Sequence, residues 1–243
     1  VGVLRQRQQW QAEPGQVLSI DDETLQRFIL SLPYSLTGAQ QRALGEIVQD
    51  LRQDRPMNRL LQGDVGSGKT VVAAAAMALV VTAGAQAALV VPTEILAEQH
   101  YRTVSQLLGS LETAGEERDG LTLQPTLRLL TGSTPAAEKE EIYQGLAQGE
   151  VDVVIGTHAL IQEGVTFHQL ALTIVDEQHR FGVAQRAALR QKGYNPHMLV
   201  MTATPIPRSL ALTVYGDLDL SVIDEMPPGR QPVRTQVLLP TER

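Results

Sequence analysis

The stretch Leu60-Leu61-Gln62-Gly63-Asp64-Val65-Gly66-Ser67-Gly68-Lys69-Thr70 constrains the fold of this chain more than any other. It fits the pattern G-x-x-x-x-G-K-[ST], with an apolar run entering it and a longer one, Val71 to Val81, leaving it. In that strand–loop–helix context glycines let successive backbone N–H groups curl around an anion. The helix start behind them adds partial positive charge. Lys69 is placed to reach terminal phosphates, and Thr70 offers a hydroxyl to magnesium. Gly63, Asp64, Val65, Gly66, Ser67, Gly68, Lys69 and Thr70 are therefore the expected nucleotide-binding residues. The competing reading, a Gly-rich turn that matches by chance, loses ground as two further motifs complete a site.

Downstream, apolar runs Ala88–Val91, Leu127–Leu130, Val151–Ile155, Leu172–Val175 and Met198–Met201 read as strands, with helical segments Glu94–Leu108 and Pro135–Gln148 between some of them. Short apolar strands alternating with helices imply an α/β fold, a mostly parallel sheet with helices on both faces. Ligands of such sheets bind at the carboxyl ends of strands. Small or polar residues follow the strands there: Pro92-Thr93-Glu94, Thr131-Gly132-Ser133, Gly156-Thr157-His158, Asp176-Glu177-Gln178-His179 and Thr202-Ala203-Thr204. Upstream, Ser19-Ile20-Asp21-Asp22 is expected to cap a helix running to about Leu32, and Thr37 to open a second one. Gly109–Pro125 reads as a flexible surface loop.

Asp176 and Glu177 end an apolar strand. Asp176 suits magnesium held through its water shell, and Glu177 suits activation of the attacking water. A solvated acidic turn is the alternative, and the phosphate loop upstream tips the balance to catalysis. Gln40 has two readings. Its amide completes a capping box with Thr37, or it reads an adenine edge, which its place ahead of the loop favours. His179 is open between a core histidine and a relay to Thr202 and Thr204. Zinc ligation lacks partners, since the chain has no cysteine.

Composition excludes more than it assigns. The net charge of −7 does not advertise a nucleic-acid binder, although a local face can differ. No apolar stretch is long enough to span a bilayer and no signal peptide is visible, so a cytoplasmic location with no membrane partner is expected.

These motifs, in order and spacing, resemble superfamily 2 helicases and translocases. Leu36–Gln40, Met57–Thr70, Pro92–His100, Asp176–Gly182, Thr202–Arg208 and Asp224–Arg230 are similar to the RecG family of bacterial ATP-dependent DNA translocases. The motor of the transcription-repair coupling factor is the nearest competitor, and Gln178 with Pro227-Pro228-Gly229-Arg230 favours the first. The resemblance implies a RecA-like ATP-binding domain over 33–230, ATP and Mg2+ as cofactors, and hydrolysis that remodels stalled forks and branched DNA. It implies that Gln40 reads adenine and that Gln178 and His179 sense the terminal phosphate beside Lys69, Asp176 and Glu177. Pro92, Thr93, Thr131, Gly132, Ser133, Gly156, Thr157 and His158 would face the nucleic-acid backbone, where hydroxyls and N–H groups grip phosphates without reading bases. Thr202, Ala203 and Thr204 would couple the two activities. Residues 1–32 are expected to be a helical linker from an upstream wedge domain, and 231–243 a strand or linker toward a second RecA-like domain with the arginine finger. A monomer is expected, inactive or weakly active without that second half. A P-loop nucleotidase and a non-catalytic binding module stay as alternatives. Loops suited to a nucleic-acid backbone argue against the first, and intact Lys69 and Glu177 against the second.

Overall fold

The computed structural model describes residues 14–113, 125–176, 188–189, 191–204 and 218–227. Five helices and seven strands carry the fold among them. They are α1 Asp22–Ser31, α2 Gly38–Leu51, β1 Asn58–Gly63, α3 Lys69–Thr82, β2 Gln86–Val90, α4 Glu94–Thr113, β3 Leu127–Leu130, α5 Ala136–Gln148, β4 Val153–Gly156, β5 Leu170–Asp176, β6 His197–Thr202 and β7 Asp219–Ile223. A 3-10 turn, His158–Ile161, follows β4.

The strands form one sheet in the order β3-β4-β2-β5-β6-β1-β7, every pair parallel. Both faces are covered, which is why β2, β4 and β6 are buried at every position and read as unbroken apolar runs. One face packs α1, α2, α3 and α4 against Leu61, Leu89, Ile155, Ile174 and Met201. The other packs Ile142 and Leu146 of α5 against Val90, Val154 and Val175. Helix α3 lies deepest. Val71 to Val80 are all buried, and its four consecutive alanines, Ala73–Ala76, have side chains small enough for close approach.

Three sequence expectations change. Helix α4 runs through Gly109 to Thr113, so the segment expected to be a loop from Gly109 is helical at its start; one helical glycine costs only about 1 kcal/mol. Its remainder up to 124 lies outside the described residues. Strand β7 was not foreseen. Phe28 and Leu32, assigned to a linker, sit in the same core as Leu44 and Ile47. No helix of the described residues is long and apolar enough to cross a membrane.

The segment 14–18 straps the amino edge of the sheet. Gln16 Nε2 donates to the carbonyls of Leu170 (3.0 Å) and Tyr194 (2.8 Å). The wholly buried His197 closes the strap: Met57 N–H donates to its Nδ1 (3.0 Å), and its Nε2–H donates to the Gln16 carbonyl (2.7 Å). These partners fix the neutral, Nε2-protonated tautomer. Burial pushes the imidazole below its ordinary 6.5. The unfolded chain therefore binds the extra proton first, so this contribution to stability is complete above about pH 6.5 and is lost as pH falls below it. Melting temperature should drop between about pH 7.5 and about pH 5.5. His197→Gln should flatten that slope, and an equal slope in the variant would show that another group sets it.

Candidate nucleotide and nucleic-acid sites

The sheet order divides the carboxyl edge in two. Strands β5, β6 and β1 lie side by side and end in Asp176, in Thr202-Ala203-Thr204 and in the phosphate loop. Strands β3, β4 and β2 lie side by side and lead into Thr131-Gly132-Ser133, Gly156-Thr157-His158 and Pro92-Thr93-Glu94.

In the loop, Gly66 and Gly68 take φ of 79° and 87°, a conformation that side chains disfavour. Gly68 is required twice over, because a Cβ there would stand 2.2 Å from Gln40 Nε2. Lys69 opens α3 and folds back over the loop, its ammonium donating to the carbonyls of Gly63 (2.6 Å) and Asp64 (3.0 Å). Asp64 Oδ1 accepts from Val65 N–H, leaving Val65 exposed at the tip.

Gln40 satisfies the local reading and adds a contact the sequence could not show. Thr37 N–H donates to its Oε1 (2.8 Å) and its own N–H donates to Thr37 Oγ1 (3.2 Å), the capping box of α2. Its Nε2 donates to the Ser67 carbonyl at 2.8 Å, tying α2 to the phosphate loop. The start of α2 is held from the far side as well. Glu225 accepts from Ala39 N–H (3.2 Å), and Arg42 pairs with Asp224 and Glu225.

Asp176 pairs in register with Met201, and Met201 with Leu61, so its carboxylate stands two strands from β1, roughly 10 Å away, at the level of the loop. His100 Nε2 on α4 contacts its Oδ2 at 2.8 Å, both side chains nearly buried. Thr202 Oγ1 accepts from Thr204 N–H (3.2 Å) and so shapes the turn after β6. Glu177, Gln178 and His179, and with them any bond to Thr202 or Thr204, lie outside the described residues.

The donor set fits magnesium and a nucleotide. Two left-handed glycines, a helix start and a lysine stand together in the loop, and a carboxylate and the Thr70 hydroxyl are oxygen donors of the kind that magnesium would take.

The other half of the edge is only partly as expected. Thr93, Gly132, Ser133 and His158 are exposed and Pro92 is partly so, while Thr131, Gly156 and Thr157 are buried. Thr93 caps α4, its Oγ1 accepting from Leu96 N–H at 3.3 Å. Thr131 Oγ1 lies 2.9 Å from Ser133 Oγ in a cluster of hydroxyls completed by Thr134. The Thr157 hydroxyl is enclosed, with no partner among the described residues.

Glu94, singled out with Pro92 and Thr93 at a strand end but given no role there, is tied to the Ser133 loop. Ser133 N–H donates to its Oε1 (3.0 Å) and Ser133 Oγ–H to its Oε2 (2.9 Å). The Ser133 hydroxyl, helped by the N–H groups of Ser133 and Gly132, holds this carboxyl below the usual carboxylate range. Glu94 thus takes up both donors of Ser133.

Residues 37–213 match the family model of the DEAD/DEAH box helicases. The chain is 55% identical to the ATP-dependent DNA helicase RecG of Streptococcus pneumoniae, over 91% of this chain and 31% of that protein. It is 50% identical to the protein of the same name from Synechocystis, over 100% of this chain and 28% of that one. The chain therefore spans under a third of the length of these curated relatives. Among solved structures, RecG bound to a three-way DNA junction superposes with a TM-score of 0.81 at 47% identity, over 96% of this chain and 30% of that one. The helicase MrfA bound to DNA, at 16% identity over 87% of this chain and 31% of that one, has a TM-score of 0.61 and shares the fold.

Proposed function

The chain belongs to the DEAD/DEAH box helicase family, and from that premise we propose that it is the ATP-binding half of a RecG-like motor acting on branched or forked DNA. One observation carries the proposal: a single sheet edge presents a phosphate loop with its carboxylate on one half and three adjacent hydroxyl-bearing loops on the other. A nucleotidase acting on a small substrate has no use for the second half.

In this reading ATP with Mg2+ supplies the chemistry, a phosphoryl group to be passed to water. Gly63–Thr70 bind the phosphates, Lys69 offsets their charge, and Thr70 and Asp176 hold the metal. Gln40 carries the adenine side, with one amide N–H beyond the Ser67 contact to offer. Glu177 activates the water, and Gln178 and His179 sense the terminal phosphate. Pro92, Thr93, Gly132, Ser133 and His158 line the path of the DNA backbone, with Thr202-Ala203-Thr204 between the two halves. A second RecA-like domain completes the nucleotide cleft, and an upstream wedge domain confers branch preference.

Two measurements test this. DNA binding by the chain should ignore base sequence and weaken with salt, log K falling by about 0.7 per phosphate contact on single strands for each decade of salt. A preference between equal-shaped DNAs of different sequence would contradict it. In the whole protein that carries this chain, forked DNA should stimulate ATP turnover, and Glu177→Gln should abolish turnover while ATP still binds. Turnover indifferent to DNA would sink the motor reading.

A further inference from the structure

Helix α4 touches both halves of the edge. Its first turn carries Thr93 as cap and Glu94, which grips Ser133 through both carboxylate oxygens. Roughly 9 Å further along the helix, His100 meets the carboxylate of Asp176. That contact is shut away from water: His100 is 8% exposed, and the two side chains are 10% and 13% exposed. Between the two ends, Ala97 is fully buried against the sheet, and Val104 anchors the next turn. The helix therefore cannot shift at its DNA end without carrying His100 with it.

From this geometry we propose that His100 is a positioning residue. It fixes the orientation of Asp176 and makes α4 the rod that joins the nucleotide site to the Ser133 loop. The proposal rests on the reading of Asp176 as a magnesium carboxylate. A carboxylate that holds a metal, directly or through water, needs its free rotation removed, and a ring N–H at hydrogen-bond distance on a packed helix does this. Leucine at position 100 would keep the packing and remove the donor. Glutamine would keep a donor of comparable reach.

The test uses the chain itself, a fluorescent ATP analogue and a titration of Mg2+. In the wild type, magnesium should tighten binding of the analogue. In His100→Leu, half-saturation should need about 10- to 100-fold more Mg2+, the usual effect of losing an outer-shell partner. Affinity in EDTA should stay unchanged, the melting temperature should fall by a few degrees for the donor lost from Asp176, and His100→Gln should recover most of both losses. The second readout is hydrogen exchange. Magnesium and nucleotide should slow exchange of the Ser133 amide, which Glu94 holds, in the wild type and not in His100→Leu.

Unchanged magnesium dependence in His100→Leu overturns the positioning role. A parallel loss of affinity in EDTA does so too, since it marks general damage. Persistent protection of Ser133 in His100→Leu overturns the linkage along α4. A wild type that binds the analogue without regard to magnesium removes the reading of Asp176, and this proposal falls with it.

Discussion

Lys69→Ala should abolish measurable ATP binding and leave the chain folded. The ammonium of Lys69 lies inside the loop, held by the carbonyls of Gly63 and Asp64, and phosphate oxygens are stronger acceptors for the same donors. Each hydrogen bond from a charged group contributes about 1.5–3 kcal/mol, so two to the phosphates contribute about 3–6 kcal/mol. That corresponds to a loss of about 10²- to 10⁴-fold in affinity. The fold should not notice. Position 69 is the first residue of α3, alanine is the best helix former, and the buried run Val71–Val80 anchors the helix without it. Isothermal calorimetry with ATP and Mg2+ measures the first part and circular dichroism the second. Unchanged affinity would remove the phosphate site from this loop.

What the sequence revealed follows from the range of the interactions involved. The phosphate loop is legible because all its parts lie within a few residues. The capping box of Thr37 and Gln40 is legible for the same reason, being a contact between residues three apart. The bond from Gln40 to Ser67 joins two motifs through space, and no spacing rule announces it. The contacts of His100 and Glu94 were hidden in the same way. Each residue sits in a helical segment read for its pattern, while their partners Asp176 and Ser133 lie far along the chain. Strand β7 escaped because Asp219-Leu220-Ser221-Val222-Ile223 is, among the described residues, an edge strand paired only to β1 and partly exposed at three of its positions. Its apolar content is too low to stand out.

The second large effect concerns Gly156, a glycine that the sheet itself requires. The family resemblance implies that Gly156 faces the nucleic-acid backbone. In the structure it is the last residue of β4, buried between Leu130 of β3 and Val90 of β2. A Cβ there would stand 1.9 Å from the Leu130 carbonyl oxygen and 2.9 Å from its carbon. Both are backbone atoms of the neighbouring strand, so no side-chain rotation relieves the clash. Strands β3 and β4 would have to part where Thr157 N–H donates to Leu130 O, and the shift would strain the bond from Val91 N–H to Gly156 O that joins β4 to β2. Gly156→Ala should therefore cost about 3 kcal/mol or more, the upper end for overpacking. In a chain of this size that lowers the melting temperature by about 6–12 °C. Ser133→Ala is the counterpart. Its side chain is exposed, so it should melt like the wild type and bind single-stranded DNA more weakly. A Gly156→Ala variant with wild-type melting and weakened DNA binding would return Gly156 to the grip. The opposite pair of results separates a glycine needed by the sheet from a serine used in binding.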